Sequence, residues 1–352
     1  MSDISLELQE LVRKSVETKS PLRIVGGNSK AFYGRYTEGT ILNVSRHRGI
    51  VNYEPTELVI TARGATPLAE IEATLAENNQ ILGFEPPHFG NQSTLAGTMA
   101  CGFSGPRRPF AGAVRDFVLG CKLLNGKAEI LRFGGEVMKN VAGYDISRLM
   151  AGALGTLGIL LEVSIRTIPK PPAELTLAFE TDFERALVLM TTWCRQPSPI
   201  SALCFDGNRV FARISGSEHM LASAQKVMGG EVISENSNFW TSVRNQDHSF
   251  FESTCNLWRL SLAPASPKSN LPGEWFLDWG GAQRWLKTDA EPKRVFQIAA
   301  QTGGHSTLYR SPVHTGDKFQ PQPSKLMQLH KNLKQAFDPS GILNPGRMYS
   351  DF

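Results

Sequence analysis

The chain has 352 residues, 41% hydrophobic and 20% charged, with a formal net charge of +4. These are proportions of a soluble globular protein long enough for two domains with a large buried core. The charge is too small to imply a nucleic-acid partner, and no apolar run approaches a membrane span.

Residues 5–17 read as a helix, with Leu6, Leu8, Leu11, Val12 and Val16 on or near one face. The stretch is amphipathic and carries acidic residues, unlike a secretory signal, so the expectation is a cytoplasmic chain beginning there. A short apolar strand at 22–25 runs into Gly26-Gly27-Asn28-Ser29. That turn suits a phosphate but is also ordinary turn sequence, and it lacks the GxGxxG spacing of a dinucleotide fold. Short β-type runs, TILNV and GIVNYEP, precede a strand at 58–61 and a helix with Pro67 near its first turn. Leu68, Ile71, Thr74 and Leu75 form its buried stripe.

The stretch GNQSTLAGTMACGFSGPRRPFAGAVRDFVLG, residues 90–120, is punctuated by glycines and small hydroxyl residues and carries Arg107, Arg108 and Arg115. Ser93 or Thr94 can cap a helix over 95–101. Backbone N–H groups at such a turn, backed by a helix start, suit a phosphate or pyrophosphate; a loop-rich connector is the alternative. A strand at 117–124 turns at Asn125-Gly126 into a partner at 129–133. Gly155-Thr156-Leu157-Gly158 precedes a strand at 159–168. Glycines ahead of a strand, rather than between strand and helix, exclude a Rossmann turn, and Ala128 stands where a P-loop needs a hydroxyl.

Pro169, Pro171 and Pro172 mark a linker. After it come ELTLAFE, DFERALVLMTTW, ISALCF, RVFARIS, a helix at 218–228 and a strand at 231–234. That is the β-α-β-β-α-β order of a ferredoxin-like sandwich. A helix at 239–252, strands at 256–262 and 275–279, the run QRWLK, a helix near 292–301, the strand HSTLYR and a helix at 326–337 follow. Five tryptophans between Trp240 and Trp285 read as sheet core or subunit interface. The sequence shows no internal repeat. Cys101, Cys121, Cys194, Cys204 and Cys255 are scattered without a CxxC, which argues against a disulfide framework, a zinc site and an iron–sulfur cluster. They read as small buried hydrophobes.

Three features combine: Gly26-Gly27 after a strand, the glycine/threonine stretch ending in Arg115-Asp116-Phe117-Val118-Leu119-Gly120, and Gly155-Thr156-Leu157-Gly158-Ile159 before a strand with Glu162-Val163. Their spacing resembles the FAD-binding domain of the vanillyl-alcohol-oxidase/PCMH flavoproteins. The tail from Asp338-Pro339 to Asn344-Pro345-Gly346-Arg347 looks like that family's C-terminal return to the flavin. Within the family, EPTELVITARGATPLAEIEATLAENNQILGFEPP, KNVAGYD and Asp278-Trp279-Gly280-Gly281…Arg284-Trp285 are similar to the FAD-binding subunits of bacterial glycolate oxidases.

The resemblance implies an α+β protein: a PCMH-type FAD-binding domain of two α/β subdomains over 1–170, a ferredoxin-like cap over 171–310, and a return segment over 311–352. It implies FAD held by Gly26, Gly27, Asn28 and Ser29, by Thr94, Gly97, Thr98, Cys101, Gly102, Ser104 and Gly105, by Arg115 and Asp116, by Gly155, Thr156, Gly158 and Ile159, and by Asn344 and Arg347. Glycines give a diphosphate access to N–H donors, and the flavin supplies the redox chemistry. Covalent members carry a histidine in the first glycine loop; here the loop reads Gly-Gly-Asn-Ser, so FAD is expected to be dissociable. Larger 2-hydroxyacid dehydrogenases of the family pair histidines at a metal; no such pair is present, and no metal is expected. His305, after Gly303-Gly304, is the candidate base facing the flavin, against a structural histidine. Arg259 and Arg284 are candidates to clamp a carboxylate. The implied function is the FAD-binding subunit of a complex oxidising glycolate to glyoxylate, with electrons passing to a larger homologous flavin subunit and an iron–sulfur subunit. Such a chain would be cytoplasmic, or peripheral at the inner membrane through its partners. A self-sufficient 2-hydroxyacid dehydrogenase and a subunit with a vestigial FAD site are the alternatives.

Overall fold

The structure, a computed structural model, describes residues 3–135, 145–234, 236–252, 254–313 and 316–352. Residues 139–144 of the KNVAGYD motif, and His314, lie outside this set. The chain forms two compact units, one of Met1–Phe103, Ala113–Pro169 and Pro321–Phe352, the other of Ser104–Gly112 and Lys170–Gln320.

In the first unit the helix Ser5–Thr18 buries Leu8 and Val12, while Leu6 and Leu11 of the expected stripe are exposed. Leu8 and Val12 share a core with Leu22, Leu42, Ile342 and Leu343. Leu22 and Leu42 belong to the parallel pair β1 (Leu22–Val25) and β2 (Thr40–Asn43). Strands β3 (Ile50–Glu54), β4 (Val59–Arg63), β5 (Gln80–Ile81), β6 (Val118–Leu124), β7 (Ile130–Gly134), β8 (Ile159–Arg166) and β9 (Ile168–Pro169) follow. Five make an antiparallel sheet ordered β3-β4-β8-β6-β7, and β5 pairs with β9. Central β8 is buried on both faces, as its run of apolar residues requires, and its one carboxylate, Glu162, accepts from Lys122 and Arg132. The β6–β7 hairpin reaches the left-handed region at Ala128 (φ 58°), not at Gly126. Gly126 has another reason to lack a side chain: a Cβ there would lie 2.3 Å from Asp338 Oδ1.

The second unit is built on β10 (Ala173–Glu180), β11 (Ile200–Phe205), β12 (Arg209–Gly216), β13 (Glu231–Ile233), β14 (Leu257–Ser261), β15 (Glu274–Asp278), β16 (Gln283–Lys287) and β17 (His305–Arg310). They form one antiparallel sheet ordered β13-β10-β12-β11-β15-β16-β14-β17. The first four strands show the expected ferredoxin-like order, the α+β class read from the sequence. The last four repeat the same order in mirror sequence, a topological duplication with no sequence repeat behind it. The halves meet at β11 and β15, where Phe205 pairs with Leu277. One sheet face packs on the helices Phe183–Trp193, Glu218–Met228 and Pro292–Gln301, with Trp258 and Trp275 in that core. The other is covered by residues 239–251: Phe239 stacks on Phe211, Phe251 meets Trp285, and Trp240 Nε1 donates to Thr176. The helix expected over 239–252 is instead Asn236–Asn245 followed by a tight turn, Ser249–Phe251, because Gln246 takes a left-handed φ of 62°. Trp240, Trp258, Trp275 and Trp285 are buried, so these four serve the sheet and not a partner surface. Cys121 and Cys204 are buried as expected, whereas Cys194 and Cys255 are exposed.

The halves differ in one connection. A helix links the first and second strands of the first half, whereas residues 262–273, with Pro264, Pro267 and Pro272, make that link irregularly in the second.

Candidate functional site

In the first unit, the loop after β1 meets the loop after Gly90 backbone to backbone. A Cβ on Gly27 would lie 1.6 Å from the Gln92 carbonyl oxygen, so no side chain fits. Asn28 is left-handed (φ 54°), and the N–H groups of Gly27, Asn28, Ser29 and Lys30 find no acceptor among the described residues. Successive unpaired N–H groups in a curled loop are an anion-binding concavity. Ser29 and Ser93 hydroxyls lie 3.1 Å apart across the two loops. Ser93 Oγ accepts from the Phe89 N–H at 3.0 Å and from Lys30 Nζ at 3.1 Å. Lys30, absent from the residues the sequence singled out, is 7% exposed. Burial pushes its amine down to about 8, opposed weakly by the Cys101 thiol.

The C-terminal segment braces this loop from its carbonyl side. Arg347 donates to the carbonyls of Arg35, Lys30 and Ala31 at 2.9, 3.3 and 3.3 Å. Its guanidinium therefore orients the loop, and burial holds its pKa below the usual value. Asn344 is likewise occupied: its Oδ1 accepts the Ile24 N–H and its Nδ2 donates to Leu154 O, both at 2.8 Å. Behind it, Lys334 Nζ donates to Asp338 Oδ2 at 2.6 Å and to the Thr156 and Leu343 carbonyls at 2.8 Å. Asp338 also accepts the N–H groups of Ile342 and Leu343.

The helix Leu95–Cys101 starts where expected, with Thr94 Oγ1 accepting the Gly97 N–H. Its first donors are engaged internally, Leu95 N–H on Thr66 O and Ala96 N–H on Gly64 O. The free donor set thus sits in the first loop, not at the helix start expected from the sequence. Thr98 Oγ1 is buried without a partner among the described residues, and Gly102 closes the helix in a left-handed conformation (φ 68°). Cys101 lies within electrostatic reach of Lys30 and Arg347. Of the remaining expected positions, Ser104 and Gly105 belong to the second unit. The Arg115 and Asp116 side chains are 64% and 47% exposed, and Asp116 caps the Val114–Phe117 turn through the Ala113 N–H. Thr156 donates to Ala153 O, a Cβ on Gly158 would lie 2.6 Å from Leu123, and Ile159 is buried in β8; these three pack the interior. Gly155 (φ 71°) lies against Asn344 and Ile24.

In the second unit, His305 opens β17 with its side chain partly open to solvent. Packing around the ring, then the charges of Arg259 and Arg108, hold its pKa below the usual imidazole value. Arg108 stacks over Trp279 at 4.0 Å from the ring centroid, and Trp279 Nε1 donates to Gly105 O. Trp279, Gly280 and Gly281 are consecutively left-handed (φ 54°, 63° and 92°), a strained turn started by Asp278, whose Oδ1 accepts the Trp279 N–H. Arg284 is fully buried and donates to the carbonyls of Gly281, Pro264, Ser266 and Pro267. Every arm of its guanidinium is taken, which corrects the expectation that it clamps a substrate carboxylate; burial lowers it to about 10. The structure therefore brings His305, Arg259 and Arg108 together and sets Arg284 aside as a support for the turn beneath Trp279.

No cluster of His, Cys, Asp and Glu among the described residues is placed to hold a metal ion, and no helix among them is long and apolar enough to cross a membrane. Residues 5–134 match the family described as FAD binding domain, and residues 322–348 match FAD linked oxidases, C-terminal domain. The first loop fits such a cofactor: among the described residues its N–H donors for a diphosphate are unpaired and its buried amine has no carboxylate partner. Among solved structures, the fold is similar to 4-ethylphenol oxidase from Gulosibacter chungangensis (TM-score 0.75, 14% identity, 99% of this chain and 88% of that one). It is also similar to p-cresol methylhydroxylase (TM-score 0.74, 15% identity, 100% and 89%). The glycolate oxidase subunit GlcD of Bacillus subtilis (strain 168) is 32% identical over 40% of this chain and 30% of its own length. The glycolate oxidase subunit GlcE of Escherichia coli (strain K12) is 48% identical over 99% of this chain and 98% of its own. With identity of that order along virtually its whole length, the chain belongs to the family of the glycolate oxidase subunit GlcE, a family of FAD-linked oxidoreductases.

Proposed function

We propose that this chain is the FAD-binding subunit of a complex that oxidises glycolate to glyoxylate, and that it works with a larger flavin subunit and an iron–sulfur subunit that carry the electrons onward. The observation that carries the reading is the braced, unpaired donor set at residues 27–30 within a chain 48% identical to a glycolate oxidase subunit. In this reading residues 1–170 and 311–352 hold FAD without a covalent bond, and residues 171–310 form the cap. FAD, when bound, supplies a two-electron acceptor. The chain's own residues bind and orient: the N–H groups of the 27–30 loop take the diphosphate, and Arg347 and Asn344 keep that loop and the 154–155 turn in place. In this reading the chain is cytoplasmic, or peripheral at the inner membrane through its partners.

The His305, Arg259 and Arg108 cluster favours a second reading, a self-contained 2-hydroxyacid dehydrogenase. An imidazole kept neutral at pH 7 can take the hydroxyl proton, and neighbouring guanidiniums suit the carboxylate. Purification of the chain alone, flavin absorbance, and turnover with an artificial acceptor separate the two. Yellow protein with little turnover, restored by the partner subunits, supports the subunit. Turnover by the chain alone equal to that of the complex, lost on His305→Ala, supports the second reading. Colourless protein that takes up no FAD overturns both.

A further inference from the structure

We propose that the Lys30 amine is the charge partner of the cofactor's anionic diphosphate, and that this one side chain sets how tightly the dinucleotide is held. The inference rests on the reading that FAD occupies the first loop. Two buried lysines in the same unit supply the contrast. Lys334 is 5% exposed and has a carboxylate, Asp338, and two carbonyls around its nitrogen. Lys30 is 7% exposed, and its nitrogen meets the hydroxyls of Ser93 and Ser29 at 3.1 and 3.4 Å and no carboxylate among the described residues. A buried ammonium without a counter-charge is costly, and a lysine placed for stability alone is expected to be paired as Lys334 is.

Among the described residues, those facing Lys30 supply no anion. The Phe89 ring is 5.9 Å from its nitrogen, Ser93 is neutral, and the Arg347 guanidinium is cationic and bonded to the Lys30 carbonyl. The Cys101 thiol, on the helix Leu95–Cys101, is the remaining titratable neighbour among the described residues. An ammonium has three donors, and among the described residues two hydroxyls leave one unused beside four consecutive unpaired N–H groups. An anion with several acceptor oxygens completes both sets, whereas a carboxylate or the neutral isoalloxazine ring would satisfy them less well. Burial has already brought the amine to about 8, so its charge in the cofactor-free chain begins to fade in the mildly alkaline range.

The test uses the full-length chain stripped of flavin and titrated with FAD, ADP-ribose and riboflavin. Lys30→Met is expected to weaken FAD and ADP-ribose by about 10- to 100-fold and to leave riboflavin unchanged. It should not lower, and is expected to raise, the melting temperature of the flavin-free chain, because it removes an uncompensated buried charge. A lysine with a merely structural task would show the opposite sign. Wild-type FAD affinity should hold steady at lower pH and fall as pH rises through about 8, and Lys30→Arg should remove that fall. The wild-type profile needs no variant to fold. Unchanged FAD affinity in Lys30→Met, an equal loss for riboflavin, or a flat wild-type profile would each overturn the assignment. A wild-type chain that binds none of the three ligands points elsewhere, to failure of the cofactor reading itself.

Discussion

Replacing Asp338 with alanine should destabilise the first unit without touching the second. Three donors converge on this buried carboxylate: Lys334 Nζ at 2.6 Å, the Ile342 N–H at 3.1 Å and the Leu343 N–H at 2.8 Å. Removing it leaves an ammonium and two backbone donors without that partner, and breaking a buried pair from one side costs about 3–5 kcal/mol. For a unit of about 150–250 residues each kcal/mol moves the melting point by about 2–4 °C, so the expected loss is about 6–20 °C. All six tryptophans lie in the second unit, at Trp193, Trp240, Trp258, Trp275, Trp279 and Trp285. Tryptophan fluorescence therefore follows that unit, while flavin release follows the other. In Asp338→Ala, flavin release should shift down and the tryptophan transition stay within about 2 °C of wild type. Equal shifts of both signals, or no shift in flavin release, would refute the assignment of Asp338 to the brace of the first unit.

Gly27→Ala should reduce FAD affinity by about 10- to 100-fold, measured by flavin fluorescence, because a Cβ 1.6 Å from Gln92 O forces the two loops apart. Arg284→Ala should destabilise the second unit by about 3–5 kcal/mol in a urea titration followed by tryptophan emission, since buried carbonyls lose their donor. Acid precipitation of the yellow protein should leave all flavin in the supernatant; flavin in the pellet would contradict non-covalent binding at a loop that carries Asn28. If His305 acts as a base, turnover should fall as pH drops through a value below the usual imidazole range, and His305→Ala should abolish that acid limb.

Local signals were readable in the chain and tertiary ones were not. The helix Leu95–Cys101 with its Thr94 cap, and the strands Leu22–Val25 and His305–Arg310, follow from capping chemistry and from apolar runs bounded by turns. The glycine loop at 26–29 was legible as a turn able to take phosphate. That the donors of residues 95 and 96 are consumed by the Thr66 and Gly64 carbonyls depends on a distant loop, which the local sequence around residue 95 does not show. Lys30 stands between Ser29 and Ala31, where nothing local marks it; its burial arises from Ser93, Phe89 and the Arg347 brace, far away in sequence. Gly126 illustrates the same limit. Its dipeptide signals a hairpin, while its actual constraint comes from Asp338. The duplicated strand order leaves no mark in the sequence, because a sheet asks for alternation and burial, not for matching residues.

The irregular link at residues 262–273 has a consequence for how this protein can drift. A helix saturates its carbonyls with its own N–H groups, so its composition is constrained along its length. Here three carbonyls of the link, at Pro264, Ser266 and Pro267, are met from outside by Arg284, which recognises backbone and is indifferent to side chains. Variation should therefore be asymmetric. Substitutions at residues 264–267 that keep the backbone path should be nearly silent, while any change at Arg284 should be felt at once, both in the link and in the turn that holds Trp279. A deep mutational scan would show this as a tolerant stretch of four positions tied to one intolerant position on β16, a pattern in which a single side chain carries the constraint that the first half spreads over an entire helix.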